Sequence, residues 1–180
     1  MEALERYLNS FGKFVIQQSR NQLTRKKKNV TKSLYNSLNF NVSTTNEGFS
    51  VKFYMADFGK FVDKGVSGNK KINDYITYGG NTEQSPFQYT TKGPPIDIIS
   101  KWIGMRGIAP KGLGKARSKK TGQYISPFAF LVSRKIKRDG IKGISFFQRP
   151  LGLGLKKLPN EIFASIKEEI TNNLRTITAK

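Results

Sequence analysis

The chain has 180 residues, with 32 Lys and Arg against 12 Asp and Glu, a formal net charge of +20, and neither His nor Cys. Those two zeros exclude imidazole general bases, Ser-His and Cys-His nucleophile pairs, Cys/His zinc sites and disulfides. Any catalysis would fall to carboxylates, Lys, Tyr or Ser. A hydrophobic content of 37% is modest, but 13 Phe are too many for a disordered chain, and the length suits one domain.

The opening Met1-Glu2-Ala3-Leu4-Glu5-Arg6 lacks the basic segment and apolar run of a secretory signal. No stretch approaches the ~20 apolar residues of a membrane helix, so a soluble protein made in the cytosol is expected. Residues 2–27 place Leu4, Leu8, Phe11 and Val15 at helical spacing, flanked by Tyr7 and Phe14. That pattern predicts an amphipathic helix. From Thr31 to Ser43 the pattern alternates through Leu34, Asn36, Leu38, Phe40 and Val42. Asn46-Glu47-Gly48 supplies turn chemistry, and Phe49, Val51, Phe53 and Met55 alternate again, which predicts a β-hairpin with one buried face.

Phe58, Phe61 and Val62 then put an apolar face on one helical turn, which Gly65 ends at an expected positive φ. Residues 66–93, rich in Gly, Asn, Thr and Ser, read as loop. Pro94-Pro95 opens a helix in which Ile99, Trp102 and Ile103 share a face, stopping at Gly107-Ile108. Ser126-Pro127 opens another, with Phe128, Leu131, Val132 and Ile136 inward, stopping at Gly140-Ile141. Ile144-Ser145-Phe146-Phe147 reads as a third strand ended by Pro150, with Gly152 and Gly154 in a turn. Pro159 opens the last helix, with a stripe of Phe163, Ile166, Ile170, Leu174 and Ile177. The expected architecture is a single α+β domain over 1–180: N-terminal helix, antiparallel β-hairpin plus a third strand, and C-terminal amphipathic helix. A loop-and-helix insertion interrupts it at about 67–143.

A charge of +20 opposes compaction and favours polyanionic partners. Arg25-Lys26-Lys27-Lys28 closes the first helix, and Arg134, Lys135, Lys137 and Arg138 lie late in a later one. Both runs suit solvated helix ends that complement the macrodipole. Lys111, Lys115, Arg117, Lys119 and Lys120 differ, because Gly112, Gly114 and Gly122 break the run and no apolar period accompanies it. They read either as solvated charge or as a mobile basic loop that contacts nucleic acid or an acidic neighbour.

The acids stand mostly isolated along the sequence. Asp57 and Asp63 flank one short element, and a structural role fits them better than a metal site. Gly107 and Gly112 have P-loop separation, but Leu113 stands where Lys is required. The connection from Gly107 to Ser126 is too long for a helix-turn-helix. The expectation is a non-enzymatic protein with no metal and no cofactor.

Two stretches resemble the signature of the small neck and tail-completion (head–tail joining) proteins of tailed bacteriophages. Phe58-Gly59-Lys60-Phe61-Val62-Asp63-Lys64-Gly65-Val66 follows the predicted hairpin. Phe146-Phe147-Gln148-Arg149-Pro150-Leu151 precedes the closing helix, about 80 residues later. In that family the first motif has the form Tyr-Ala-x-Tyr-Val-Glu-x-Gly-Thr and the second resembles Pro-Phe-Leu-Arg-Pro-Ala. Here aromatics replace the tyrosines, Asp63 replaces Glu and Val66 replaces Thr. The resemblance implies a structural virion protein of the neck or tail, assembled in the host bacterial cytoplasm as a ring of its own copies around the DNA channel. Its neighbours would be portal or connector and tail proteins, with non-specific contact to the genome and no membrane. Ordering of the 111–120 loop on contact with a neighbour would hold off premature polymerisation. The other function class that fits is a free basic nucleic-acid-binding protein, architectural or ribosome-associated. Of Phe146 and Phe147, alternation would bury one and leave the other to a neighbouring subunit. Arg149 would anchor a carboxylate such as Asp63, within one chain or across an interface.

Overall fold

A computed structural model describes residues 2–45, 48–108, 116–117, 124–125 and 127–178. In chain order the first elements are α1 (Glu2–Arg25), α2 (Ser33–Ser37), β1 (Asn39–Thr45), β2 (Gly48–Tyr54), α3 (Gly59–Lys64), β3 (Gly65–Ser67), β4 (Asp74–Ile76) and β5 (Thr82–Gln84). They are followed by α4 (Ile96–Met105), β6 (Ala116–Arg117), β7 (Tyr124–Ile125), α5 (Pro127–Asp139), β8 (Gly140–Lys142) and α6 (Gln148–Thr178). The class is α+β, and among the described residues the strands pair in two-stranded ribbons: β1 with β2, β3 with β8, β4 with β5 and β6 with β7. No helix among the described residues is long and apolar enough to cross a membrane. The chain divides into two compact units, Met1–Gly59 with Ile76–Asn81 and Ser145–Lys180, and Lys60–Tyr75 with Thr82–Ile144.

In the first unit the helical stripe behaves as expected. Leu8, Phe11 and Val15 are buried, and the stripe runs on through Ile16 and Leu23. The helix ends on Lys27 in the left-handed region, with Lys28 N–H donating to Leu23 O at 2.9 Å and Lys27 N–H to Thr24 O at 2.9 Å. This is a Schellman stop built on Lys rather than Gly. The stretch from Thr31 to Leu38, expected to extend a strand, instead forms the one-turn α2 with Leu34 and Leu38 buried. Residues four apart share a face in either geometry, so the pattern was ambiguous there. Arg20 of α1 closes α2, donating from Nε to Tyr35 O at 3.1 Å and from Nη2 to Leu38 O at 3.0 Å.

The hairpin forms with Phe40 opposite Phe53 and Val42 opposite Val51, so one face is apolar as predicted. The turn residues Asn46 and Glu47 lie outside the described residues. The Phe53 ring stands edge-on to Phe11 at 6.1 Å and to Phe147 at 5.4 Å. Helix α6 packs against α1. It begins eleven residues before Pro159, so Gly152, Gly154 and Pro159 are helical, contrary to the expected turn and restart. Two local reasons allow this. Pro150 sits in the first turn, where an N–H is not needed. A Cβ on Gly154 would lie 2.6 Å from the Phe11 ring, so the glycine marks the close approach of α6 to α1. Phe163 is 72% exposed, and the side chains of Ile166, Ile170, Leu174 and Ile177 lie outside the described residues.

In the second unit α4 and α5 share a small core of Ile99, Ile103 and Ala129, with Trp102, Phe128, Val132 and Ile136 packed on it. Ser133, also buried, donates from Oγ to Pro94 O at 2.7 Å. Leu131, expected inward, is instead 51% exposed. The inward row runs 128, 129, 132, 133 and 136, and position 131 falls to its outer side. Helix α4 stops as predicted, with Gly107 at φ 64° and Ile108 N–H donating to Ile103 O at 3.1 Å. Gly140 stops α5 at φ 74°, but Ile141 pairs with Val66 in the β3–β8 ribbon. Residues 144–147 form no strand; β8 ends just before them at Lys142, and the stretch expected to be loop contributes β3, β4 and β5.

Candidate functional site

The first motif forms the turn from α3 into β3. Gly65 lies at φ 75°, and a Cβ there would sit 2.4 Å from Gly143 N and 2.6 Å from Ile141 O. Only glycine accommodates both the conformation and the approach of β8. Asp63 is buried at 2% exposure, and Val62, half-buried, accepts from Ile144 N–H at 3.2 Å. Phe58 and Phe61 stay at the surface, 45% and 39% exposed, and the Phe61 ring meets Phe87 edge-on at 4.6 Å.

Behind this turn lies a polar knot that periodicity could not reveal. Asn73, buried, donates through Nδ2 to Val66 O at 3.0 Å and to Asp139 O at 2.9 Å. Its N–H donates to Ser67 Oγ at 3.0 Å, and its carbonyl accepts from Ser85 N–H at 2.8 Å. Tyr75, also buried, donates to Glu83 Oε2 at 2.9 Å. Burial first, then the Glu83 hydrogen bond and charge, with a smaller push from Asp63, raise the Tyr75 phenol above its ordinary value.

The second motif, in the first unit, leads into α6. Ser145 takes a left-handed φ of 49° and accepts Ile76 N–H on Oγ at 2.8 Å, turning the chain toward the helix. Phe146 is fully buried and Phe147 is 9% exposed, so the expectation that one serves a neighbouring subunit fails. They form a turn rather than a strand, and both rings point into the core. Pro150 is buried and Arg149 is exposed. Arg149 and Asp63 thus belong to different units, one exposed and the other buried.

Of the predicted basic loop, Arg117 lies in β6, and Lys111, Lys115, Lys119 and Lys120 lie outside the described residues. The basic run on α5 is well placed. The C-terminal carbonyls of a helix lack intrahelical partners, and here Lys137 O accepts Asn69 N–H at 2.9 Å while Arg138 O accepts Lys70 N–H at 3.0 Å. Lys137 Nζ donates to Thr91 O at 2.6 Å. Arg138 pairs with Asp139 through Nε–Oδ1 at 2.7 Å and Nη2–Oδ2 at 2.9 Å, which holds the Asp139 carboxyl below its usual range. Together the helix and the 69–70 loop enclose a groove of about 710 Å³, within the usual range of ligand-sized clefts. Phe130 and Leu131 line it beside Arg134 and Lys135, and the Arg134 guanidinium stands 5.8 Å from the Phe130 ring centre.

The 130–134–138 spacing carried a signal for this groove, since it puts one apolar and two basic side chains on one line. Among the described residues no three acidic side chains gather closely enough to hold a metal ion. Comparison with protein-family models, with curated proteins and with solved structures finds no match for the chain.

Proposed function

We propose that the protein is a structural virion component of a tailed bacteriophage, a head-to-tail connector, neck or tail-completion protein. In this reading it forms a ring of its own copies around the DNA channel, between portal or connector and tail proteins. The observation that carries it is order. An N-terminal helix and a hairpin are followed by a short helix bearing Phe61-Val62-Asp63-Lys64-Gly65, and Phe146-Phe147-Gln148-Arg149-Pro150 leads into a closing helix that packs on the first. Each motif sits at a chain junction held by a left-handed residue, Gly65 or Ser145. A shape-conserving role for the motifs fits a protein whose work is interface burial rather than bond chemistry. Exposed Phe58, Ile98, Met105 and Leu153 offer apolar surface to such contacts.

The charge of +20 supports a second reading, a free nucleic-acid-binding protein. Filter binding of the purified protein to duplex and single-stranded DNA at low and near-physiological salt separates the two. The neck reading predicts weak, sequence-independent retention that is lost at the higher salt. Tight binding that survives there, with a steep linear fall of log K against log salt, would favour the second reading.

A further inference from the structure

We infer that the α5 groove docks an acidic segment of a partner protein that also carries apolar anchor side chains. This assignment goes beyond the ring reading and does not rest on it. The walls supply the charge: Lys70, Arg134 and Lys135 line the groove with Lys137 and the Asp139-paired Arg138, and no carboxylate is among the described lining residues. The floor supplies the apolar part. Phe130 and Leu131 are about half exposed, on the side of α5 opposite the Ile99–Ile103–Ala129 core. They contribute little to holding the unit together, so their exposure calls for another explanation.

A ligand must therefore bring negative charge and apolar side chains at close spacing. A second copy of this chain does not. Its 12 acids mostly stand singly along the sequence, and the one adjacent pair, Glu168-Glu169, directly follows Lys167. Nucleic acid satisfies the cations but not the floor. Leu131 offers a base nothing to stack on, and Arg134 already stands over the one aromatic ring among the described lining residues. About 710 Å³ admits a few peptide side chains and is far too small for a duplex. An acidic, apolar-anchored peptide fits charge, surface and size together.

The site is also partly ordered before any partner arrives. Bonds from Asn69 and Lys70 to the end of α5, and from Lys137 to Thr91 O, hold loop and helix in place. That lowers the ordering cost of binding.

The test measures fluorescence anisotropy on the full chain with three labelled probes: a short peptide alternating Glu with Leu, the same peptide with Ser for Leu, and an oligothymidylate of equal charge. The Glu/Leu peptide should bind tightest, and the F130S/L131S variant should weaken it by about tenfold, as expected for losing buried apolar contact. That variant should leave the Glu/Ser peptide unchanged, while R134E/K135E should weaken both peptides. Equal binding of the Glu/Leu peptide to wild type and F130S/L131S would overturn the assignment. So would tighter binding of the oligothymidylate with loss in F130S/L131S, which would make the groove a nucleic-acid surface. Should the double variant melt early, amide shifts of the wild-type chain replace it. Changes confined to residues 69–70 and 130–138 on adding the Glu/Leu peptide support the site, and their absence there rejects it.

Discussion

Asn73 ties together three segments far apart in sequence through one buried amide. Asn73→Ala leaves Val66 O and Asp139 O without that donor, at a cost of roughly 1–3 kcal/mol for each unsatisfied buried group. We expect urea denaturation to show a loss of about 2–4 kcal/mol, and a loss below about 0.5 would mean water replaces the amide at no cost. Gly65→Ala combines a left-handed backbone with a Cβ pressed on Gly143 N, so a loss above about 1–3 kcal/mol is expected from the same measurement. At Tyr75 the sign follows from the raised phenol value. The folded chain keeps a proton that the unfolded chain releases near pH 10, so this contribution is fully present below that pH and fades as the pH climbs through the folded value. Tyr75→Phe should therefore flatten the decline of stability above about pH 10. It should also remove one late-ionising residue from the tyrosinate absorbance titration. An unchanged titration would place Tyr75 in water.

At the scale of elements, the two sides of α5 give opposite expectations. Ala129, fully buried, faces a filled core, and Ala129→Leu should cost about 1–3 kcal/mol by overpacking. Leu131→Ser should stay within about 0.5 kcal/mol of wild type, as surface changes do. Equal losses in a thermal melt would contradict the placement of Leu131 outside. This helix also shows how much the sequence discloses. Its end at Gly140, the end of α4 at Gly107, the stripe of α1 and the apolar face of the hairpin were all legible, because turn chemistry and periodicity are local. What tertiary contacts decide was not. Glycines 152 and 154 read as a turn until the Tyr78 backbone and the Phe11 ring, respectively, are seen to need the space, and Phe146-Phe147 read as a strand until Ser145 is seen to turn the chain. In the same way the basic run on α5 was visible as charge. Its partnership with the 69–70 loop, and with an outward Phe130 and Leu131, depends on which side of the helix the Ile99 cluster occupies.

For the whole molecule, two compact units carry a net charge of +20, with left-handed residues at chain junctions and apolar side chains left at the surface. Arg149, exposed where α6 begins, is a motif residue open to a neighbour. Arg149→Ala should leave the stability of the isolated protein within about 0.5 kcal/mol of wild type while reducing ring assembly, read by native mass spectrometry. A variant that still assembles normally would remove Arg149 from the interface. The central claim is that the protein works by fitting between other macromolecules of a phage particle. Quantitative mass spectrometry of purified, tail-bearing particles tests it most directly. The account predicts the chain in those particles at a fixed ratio to portal and tail proteins, and its absence from particles that hold both while it is abundant in the lysate would contradict it.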